Sequence, residues 1–317
     1  MTMKKISRLI SFTAALVLAA VACQKSPVAD QTENVVISVN APAPVAKAIG
    51  EGENAKVVYF AAFVDGKSVP TLCQHVALVD GRAVLNLPLV KNVTYKCVFW
   101  AQTPFTTDKM PYYDLSTFYT DSKVKVSYAV NANDDARDAF CATEEIFVDG
   151  KKNVDVYLRR PFAQVNFAAS DYEMLKYLGL HDGLHSEMTV YGLPDTICLL
   201  DGTVTTSAAE DKGAVFAAAP IPSGDDEYIT IHDTEYGYIG MNYVLASQDG
   251  ANVSVKGRFV NGNATWETDL LSNVPIRSNY KTNIVGELFV EHGQLQIIVV
   301  PDFNTPDYVK PIVPVQQ

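Results

Sequence analysis

The sequence predicts an all-β protein of two antiparallel β-sandwich domains, with one short helix in the second. Three observations carry that expectation. Short runs rich in Val, Ile, Phe and Tyr recur along the chain. Asp-Gly or Asn-Gly pairs punctuate them, at Asp65-Gly66, Asp80-Gly81, Asp149-Gly150, Asp182-Gly183, Asp201-Gly202, Asp249-Gly250 and Asn261-Gly262. Both residues of such a pair tolerate positive φ, which favours tight hairpins. One segment only, residues 170–179, carries helix start and stop signals.

The chain has 317 residues, 48% of them apolar, enough for two cores of ordinary size. The expected organisation is a signal segment over 1–22, a tether over 23–34, an N-terminal sandwich over 35–160, a C-terminal sandwich over 161–301 and an extended tail over 302–317. The formal charge is −11. A surface this acidic repels phosphate backbones, so nucleic acid is excluded as a partner.

Taken in order, the chain opens with Lys4, Lys5 and Arg8, then an apolar and small-residue run from 9 to 22, then Cys23. A basic head, a short apolar middle and small residues before a cut make a secretory signal. The run is too short for a membrane span, which needs about 18 apolar residues. The ending Leu18-Ala19-Ala20-Val21-Ala22-Cys23 resembles a bacterial lipoprotein signal. That resemblance implies a lipid on Cys23 and attachment to the outer membrane at the cell surface.

Residues 35–39 read as a first strand, stopped by Pro42 and Pro44, with a loop over 47–52. Residues 57–64 are apolar throughout, as a central strand would be. Residues 76–79 and 83–87 flank Asp80-Gly81, and residues 146–148 and 154–158 flank Asp149-Gly150, each pair reading as a hairpin. Between 101 and 140 the pattern weakens to a long loop or edge region, with a strand at 124–128 and an acidic loop at 131–138. Arg159-Arg160-Pro161 reads as the junction between the sandwiches. In the helix, Ser170 and Glu173 fit a capping box, Met174, Leu175 and Leu178 form the apolar face, and Gly179 ends it. Strands are expected at 188–191, 196–200, 214–219, 229–231, 239–246, 253–260, 264–269, 283–290 and 295–300.

Four cysteines follow Cys23. Cys97 and Cys198 lie in apolar strands and read as buried free thiols rather than bridges. His181 and His185 are four apart, but Gly183 between them argues for a loop rather than a zinc-binding helix face. Asp134 and Asp135, like Asp225 and Asp226, lack the alternating ligand spacing of a calcium loop and read as solvated turns. No nucleophile elbow, phosphate loop or dinucleotide fingerprint is present. The expectation is a protein without catalytic residues, metal or cofactor. Tyr112, Tyr113, Phe118 and Tyr119 cluster in the weakly patterned region. They either contact a ligand, such as a sugar face or a partner protein, or cover the edge of the core.

At residues 158–167, Leu-Arg-Arg-Pro-Phe-Ala-Gln-Val-Asn-Phe, the chain resembles fimbrillin-like outer-surface lipoproteins, relatives of the type V pilus subunits of Gram-negative anaerobes. Val98-Phe99-Trp100-Ala101, Arg137-Asp138-Ala139-Phe140, Gly240-Met241-Asn242-Tyr243 and residues 273–286 extend the resemblance over most of the chain. It implies transthyretin-like sandwiches and a role in fimbria assembly or adhesion, with other fimbrial subunits or host and glycan surfaces as partners. It also implies a cut after a basic residue past the first strand. Loss of that strand opens a groove that a strand of the next subunit fills. Here Val35, Ile37 and Val39 would belong to the removable strand, and the cut would fall between Lys47 and Ala48. The family's best-known members are cut at arginine, and a lone basic loop residue is ordinarily just solvated. Residues 295–300 are the better candidate donor, because Pro306, Pro311 and Pro314 spoil the tail as a ladder partner. The rival reading is a carbohydrate-binding surface lipoprotein of a nutrient-uptake complex.

Overall fold

The computed structural model describes residues 31–42, 54–104, 112–206, 213–291 and 293–301. They form two β-sandwiches. In the first, Thr32–Asn40 lies between Arg82–Val90 and Lys152–Tyr157. This sheet faces a second one ordered Phe140–Phe147, Thr94–Gln102, Val57–Val64 and Lys67–Ser68, with Gln74–Ala77 also paired to Val57–Val64. Alternation sets the inward faces: Ala83, Leu85, Leu87 and Leu89 are buried and their neighbours exposed.

The second sandwich packs a sheet ordered Tyr228–Ile231, Thr234–Leu245, Phe162–Ala169, Tyr280–Gly286 and Leu295–Pro301. Opposite lie Ala264–Glu267, Ala251–Asn261, His185–Tyr191, Ala214–Pro220 and Val130–Asn131, with Leu271–Ile276 also paired to Ala251–Asn261. Phe167, Met188, Phe216, Ile239, Val255 and Phe259 centre its core.

A third apolar core joins the two. It explains why some strands are apolar without alternation. In Val57–Val64, Val58, Phe60 and Ala62 face the first core while Ala61 and Phe63 face the third. In Thr94–Gln102, Cys97 and Phe99 face the first while Val98 and Trp100 face the third. A strand buried on both faces has no wet side to alternate with. From the second sandwich come Phe162, Met241, Tyr243 and Leu245. A four-stranded sheet of Val204–Thr205, Thr196–Cys198, Lys123–Val126 and Tyr113–Asp114 completes this core. It draws strands from both sides of Arg160. Phe162 touches Trp100, Tyr113 and Tyr243 at ring separations of 6.2, 5.7 and 6.5 Å.

Several expectations change. Asp65-Gly66 and Asp80-Gly81 have positive φ at both residues, as a tight turn requires. Only Asp65-Gly66 joins strands of one sheet. Asp80-Gly81 closes on the single Val79–Arg82 pair, and the strands beyond it, Gln74–Ala77 and Arg82–Val90, belong to opposite sheets. At Asp149-Gly150 neither does, and the flanking strands belong to opposite sheets. The pair is a corner, not a hairpin. Asp249-Gly250 likewise joins strands of opposite sheets. His232-Asp233, without glycine, makes a true two-residue turn, with φ of 49° and 59°. Among the described residues three strand pairs are parallel: Thr32–Asn40 with Lys152–Tyr157, Phe162–Ala169 with Tyr280–Gly286, and Ala214–Pro220 with Val130–Asn131.

The helix runs over Tyr172–Tyr177 and lacks the capping box. Its N-cap is Asp171, whose carboxylate turns away to accept from the Leu288 and Phe289 amides at 3.0 and 2.8 Å. Its buried side chains are Tyr172 and Leu175, and Met174 and Leu178 are exposed. A second helix, Phe118–Asp121, precedes the junction. Residues 295–300 are already paired, as the edge strand beside Tyr280–Gly286, so they are not a free donor. Cys73, Cys97, Cys141 and Cys198 are free thiols, with Cys97 buried and Cys198 only half-buried.

Candidate functional site

The first strand sits in a long slot. Thr32–Asn40 runs antiparallel to Arg82–Val90 from Thr32↔Val90 to Asn40↔Arg82. On its other side it runs parallel to Lys152–Tyr157. Val35, Ile37 and Val39 are each 0% exposed. Both ends are pinned. At the start, Lys91 N donates to the Gln31 carbonyl at 2.6 Å and Lys91 Nζ pairs with Glu33 at 2.7 Å. At the end, Ala41 N donates to the Gly81 carbonyl and Leu158 N to the Asn40 carbonyl, both at 2.8 Å. Burying three such side chains stabilises by about 5–9 kcal/mol. Cys23, Lys47 and Ala48 lie outside the described residues.

The acidic loop is a clasp rather than a solvated turn. Asn133 N donates to the Met241 carbonyl at 3.0 Å, and Asn133 Oδ1 accepts from Met241 N at 2.8 Å. Asp135 accepts from Tyr243 Oη at 2.8 Å and from Asn54 Nδ2 at 3.1 Å. Asp138 takes the Arg160 guanidinium in a fork, with Nε–Oδ1 and Nη2–Oδ2 both 2.7 Å and both side chains 0% exposed. Burial is the larger influence on Asp138 and lifts its carboxyl to about 6, against the pull of Arg160. Arg137 lies buried against the rings of Tyr112, Tyr128 and Phe216.

The four aromatics divide. Tyr113 is 4% and Phe118 0% exposed, so these two are core residues and not surface contacts. Tyr113 Oη donates to the Arg137 carbonyl, and burial pushes its phenol up. Tyr112 is half-buried and donates to Asp134 Oδ2 at 2.5 Å. Tyr119 is half-buried and lines a cleft of about 610 Å³ with Ser68, Cys73, Gln74, His75 and Thr120, over Pro70. Nothing in the local sequence points to His75 or Gln74. They reach Tyr119 because Gln74–Ala77 pairs with Val57–Val64, setting His75 against Tyr59 at 5.7 Å.

Elsewhere, His185 Nδ1 lies 2.9 Å from the Gly183 carbonyl and His181 Nε2 lies 3.2 Å from Asp182. Among the described residues no three His, Cys, Asp or Glu side chains gather into a metal-ligand set. Among those residues no helix is long and apolar enough to cross a membrane.

Solved structures share the fold. A candidate polysaccharide-binding protein of Bacteroides thetaiotaomicron superimposes with TM-score 0.51 at 12% identity, covering 90% of this chain and 100% of its own. A candidate cell adhesion protein of Bacteroides uniformis gives TM-score 0.51 at 9% identity, covering 84% and 97%. A fimbrial assembly protein of Parabacteroides distasonis gives TM-score 0.46 at 15% identity, covering 89% and 100%. No curated protein matches the sequence. The profile of one family, described as a family of unknown function, spans residues 28–315, and the chain therefore belongs to that family, DUF6562.

Proposed function

We propose that this is a non-enzymatic, lipid-anchored cell-surface protein that acts in fimbria-like assembly or adhesion by β-strand addition. The observation that carries the reading is the slot around Thr32–Asn40. The strand fills the middle of a three-stranded sheet, its Val35, Ile37 and Val39 form part of the core, and residues 43–53 connect it onward. A cut between Lys47 and Ala48 would detach it from the rest of the chain, leaving it held by pairing alone. A strand of another subunit with the same alternation would then take its place, gaining the same backbone ladder. The shared fold of the B. uniformis adhesion protein is consistent with this role. By the resemblance of its leader to lipoprotein signals, Cys23 would carry the lipid.

Mass analysis of the N-terminus on surface-extracted protein tests it. The expected result is a start at Ala48 in assembled material, abolished by Lys47→Ala. Lipidated Cys23 on every molecule, with no assembled species resistant to SDS, would overturn strand addition and leave a static anchor.

The cleft beside Tyr119 favours a second reading, a carbohydrate-binding surface lipoprotein. The B. thetaiotaomicron protein of the same fold is named for polysaccharide binding. Glycan-array binding reduced by Tyr112→Ala or Tyr119→Ala, with no processing at Lys47, would favour it.

A further inference from the structure

We infer that the cleft between the Pro70–Leu72 turn, the Gln74–Ala77 strand and the Phe118–Asp121 helix is a binding site for one neutral sugar ring of a glycan. This deepens the carbohydrate-binding reading and is independent of strand addition.

The two rings that line the cleft are braced from behind. His75, Tyr59, Phe118 and Tyr119 form a continuous row of rings, with centroid separations of 5.7, 6.3 and 5.2 Å from one to the next. Phe118 is 0% exposed and anchors the row in the third core. At its two ends, His75 and Tyr119 line the open space. The helix that presents Tyr119 is held to the opposite side, because Ser68 Oγ donates to the Tyr119 carbonyl at 2.5 Å. The turn is closed by Cys73 N donating to the Pro70 carbonyl at 3.2 Å. The rings are therefore set in place before any ligand arrives, which lowers the ordering cost of binding.

The chemistry of the lining selects the ligand. A volume of about 610 Å³ lies in the range of small-ligand sites. Aromatic faces pack on the C–H face of a sugar ring. Exposed Gln74 and Thr120 offer an amide and a hydroxyl to ring hydroxyls. Burial pushes the Tyr119 phenol up, so its hydroxyl remains a donor at neutral pH. Among the described residues no Lys, Arg, Asp or Glu lines the cleft, and the chain is strongly acidic. Sialylated and phosphorylated glycans therefore meet no Lys or Arg among these residues, only the His75 imidazole, and a neutral ring is the fit.

The test uses the full purified chain with methyl glucoside, galactoside, mannoside and N-acetylglucosamine, and with sialyllactose as the charged control. Saturation-transfer NMR reads the sugar, and iodoacetamide labelling of Cys73 reads the cleft. The expected result is saturation of ring protons from at least one neutral sugar and slower Cys73 labelling in its presence. Affinity should fall roughly tenfold in Tyr119→Ala and be retained in Tyr119→Phe. Gln74→Ala, an exposed change outside the packing, should also weaken binding. Glycan binding that survives Tyr119→Ala and Gln74→Ala would overturn the cleft assignment while leaving the carbohydrate reading intact. Binding to no glycan at all would overturn both, and a preference for sialyllactose would overturn the neutral-ring claim.

Discussion

Asp138 and Arg160 form a two-pronged ion pair from which water is fully excluded, with Nη2 and Oδ2 2.7 Å apart. Arg160 follows Lys152–Tyr157, the last strand of the first sandwich's sheets, and Asp138 closes the loop that grips the second. The guanidinium also lies 4.8 Å from the Phe140 ring centroid. The two side chains meet beside the Cys141–Arg159 pairing, where the loop after Asn131 and the end of the Lys152–Tyr157 strand come together.

Removing one partner should cost far more than removing both. Arg160→Met leaves a carboxylate buried without its cation and is expected to destabilise by about 3–5 kcal/mol at neutral pH. Asp138→Leu combined with Arg160→Met should recover most of that loss. Urea denaturation of the three proteins checks it. Burial already raises the Asp138 carboxyl above its ordinary 3.8, to about 6, and loss of Arg160 removes the opposing pull. A folded value above the unfolded one means the contribution is full below about 4 and is lost as pH rises through the folded value. The deficit of Arg160→Met should therefore shrink towards pH 4 and be largest above pH 7.

Gly237 and Gly150 make a matched pair of glycines. A Cβ on Gly237 would stand 2.1 Å from Tyr172 Cγ, the ring that seats the helix on its sheet. Gly237→Ala should destabilise by roughly 1–3 kcal/mol through overpacking. A Cβ on Gly150 meets nothing within 4 Å, and its φ is not positive. Gly150→Ala should lie within about 0.5 kcal/mol of the parent. Thermal unfolding of both variants separates the two outcomes.

Much of the fold was legible, because strand pattern and turn pairs are local. The slot strand, the central apolar strands and the hairpin turn at Asp65-Gly66 followed from residues alone, whereas Asp80-Gly81 gave the tight turn but not the pairing of the strands beside it. What was missed depends on distant partners. The corner at Asp149-Gly150 looks like a hairpin until Lys152–Tyr157 is seen pairing in parallel with Thr32–Asn40. The Ser170–Glu173 capping box does not form, because the N-cap falls one residue later at Asp171, whose carboxylate serves Leu288 and Phe289 far along the chain. Asp134 and Asp135 read as solvated because a charge run says nothing about Tyr112, Asn54 and Tyr243 arriving to bond it. Of the aromatic cluster, only the core could decide that Tyr113 and Phe118 point inward.

The thiols should separate by burial. Cys97 is 0% exposed, and burial pushes its thiol up to about 12. Cys73 is half-buried at the cleft. In the native protein iodoacetamide should label Cys73 within minutes and leave Cys97 unmodified until denaturant is added. Peptide mapping by mass spectrometry identifies which residue is alkylated.

Ile37 tests how firmly the first strand is held. Ile37→Ala removes a fully buried side chain from the middle of the slot and should destabilise by about 2–5 kcal/mol. After a cut within residues 43–53, the variant should also release its first strand faster, and take up an added peptide of residues 32–40 faster, than the parent does. Equal rates would show that the slot is not the barrier to exchange.

The most direct measurement for the central claim is the N-terminus of the protein in sheared, SDS-resistant surface material. Strand addition predicts that assembled molecules begin at Ala48 and lack residues 32–40. Assembled molecules that all retain Val35, Ile37 and Val39 behind a lipidated Cys23 would contradict it.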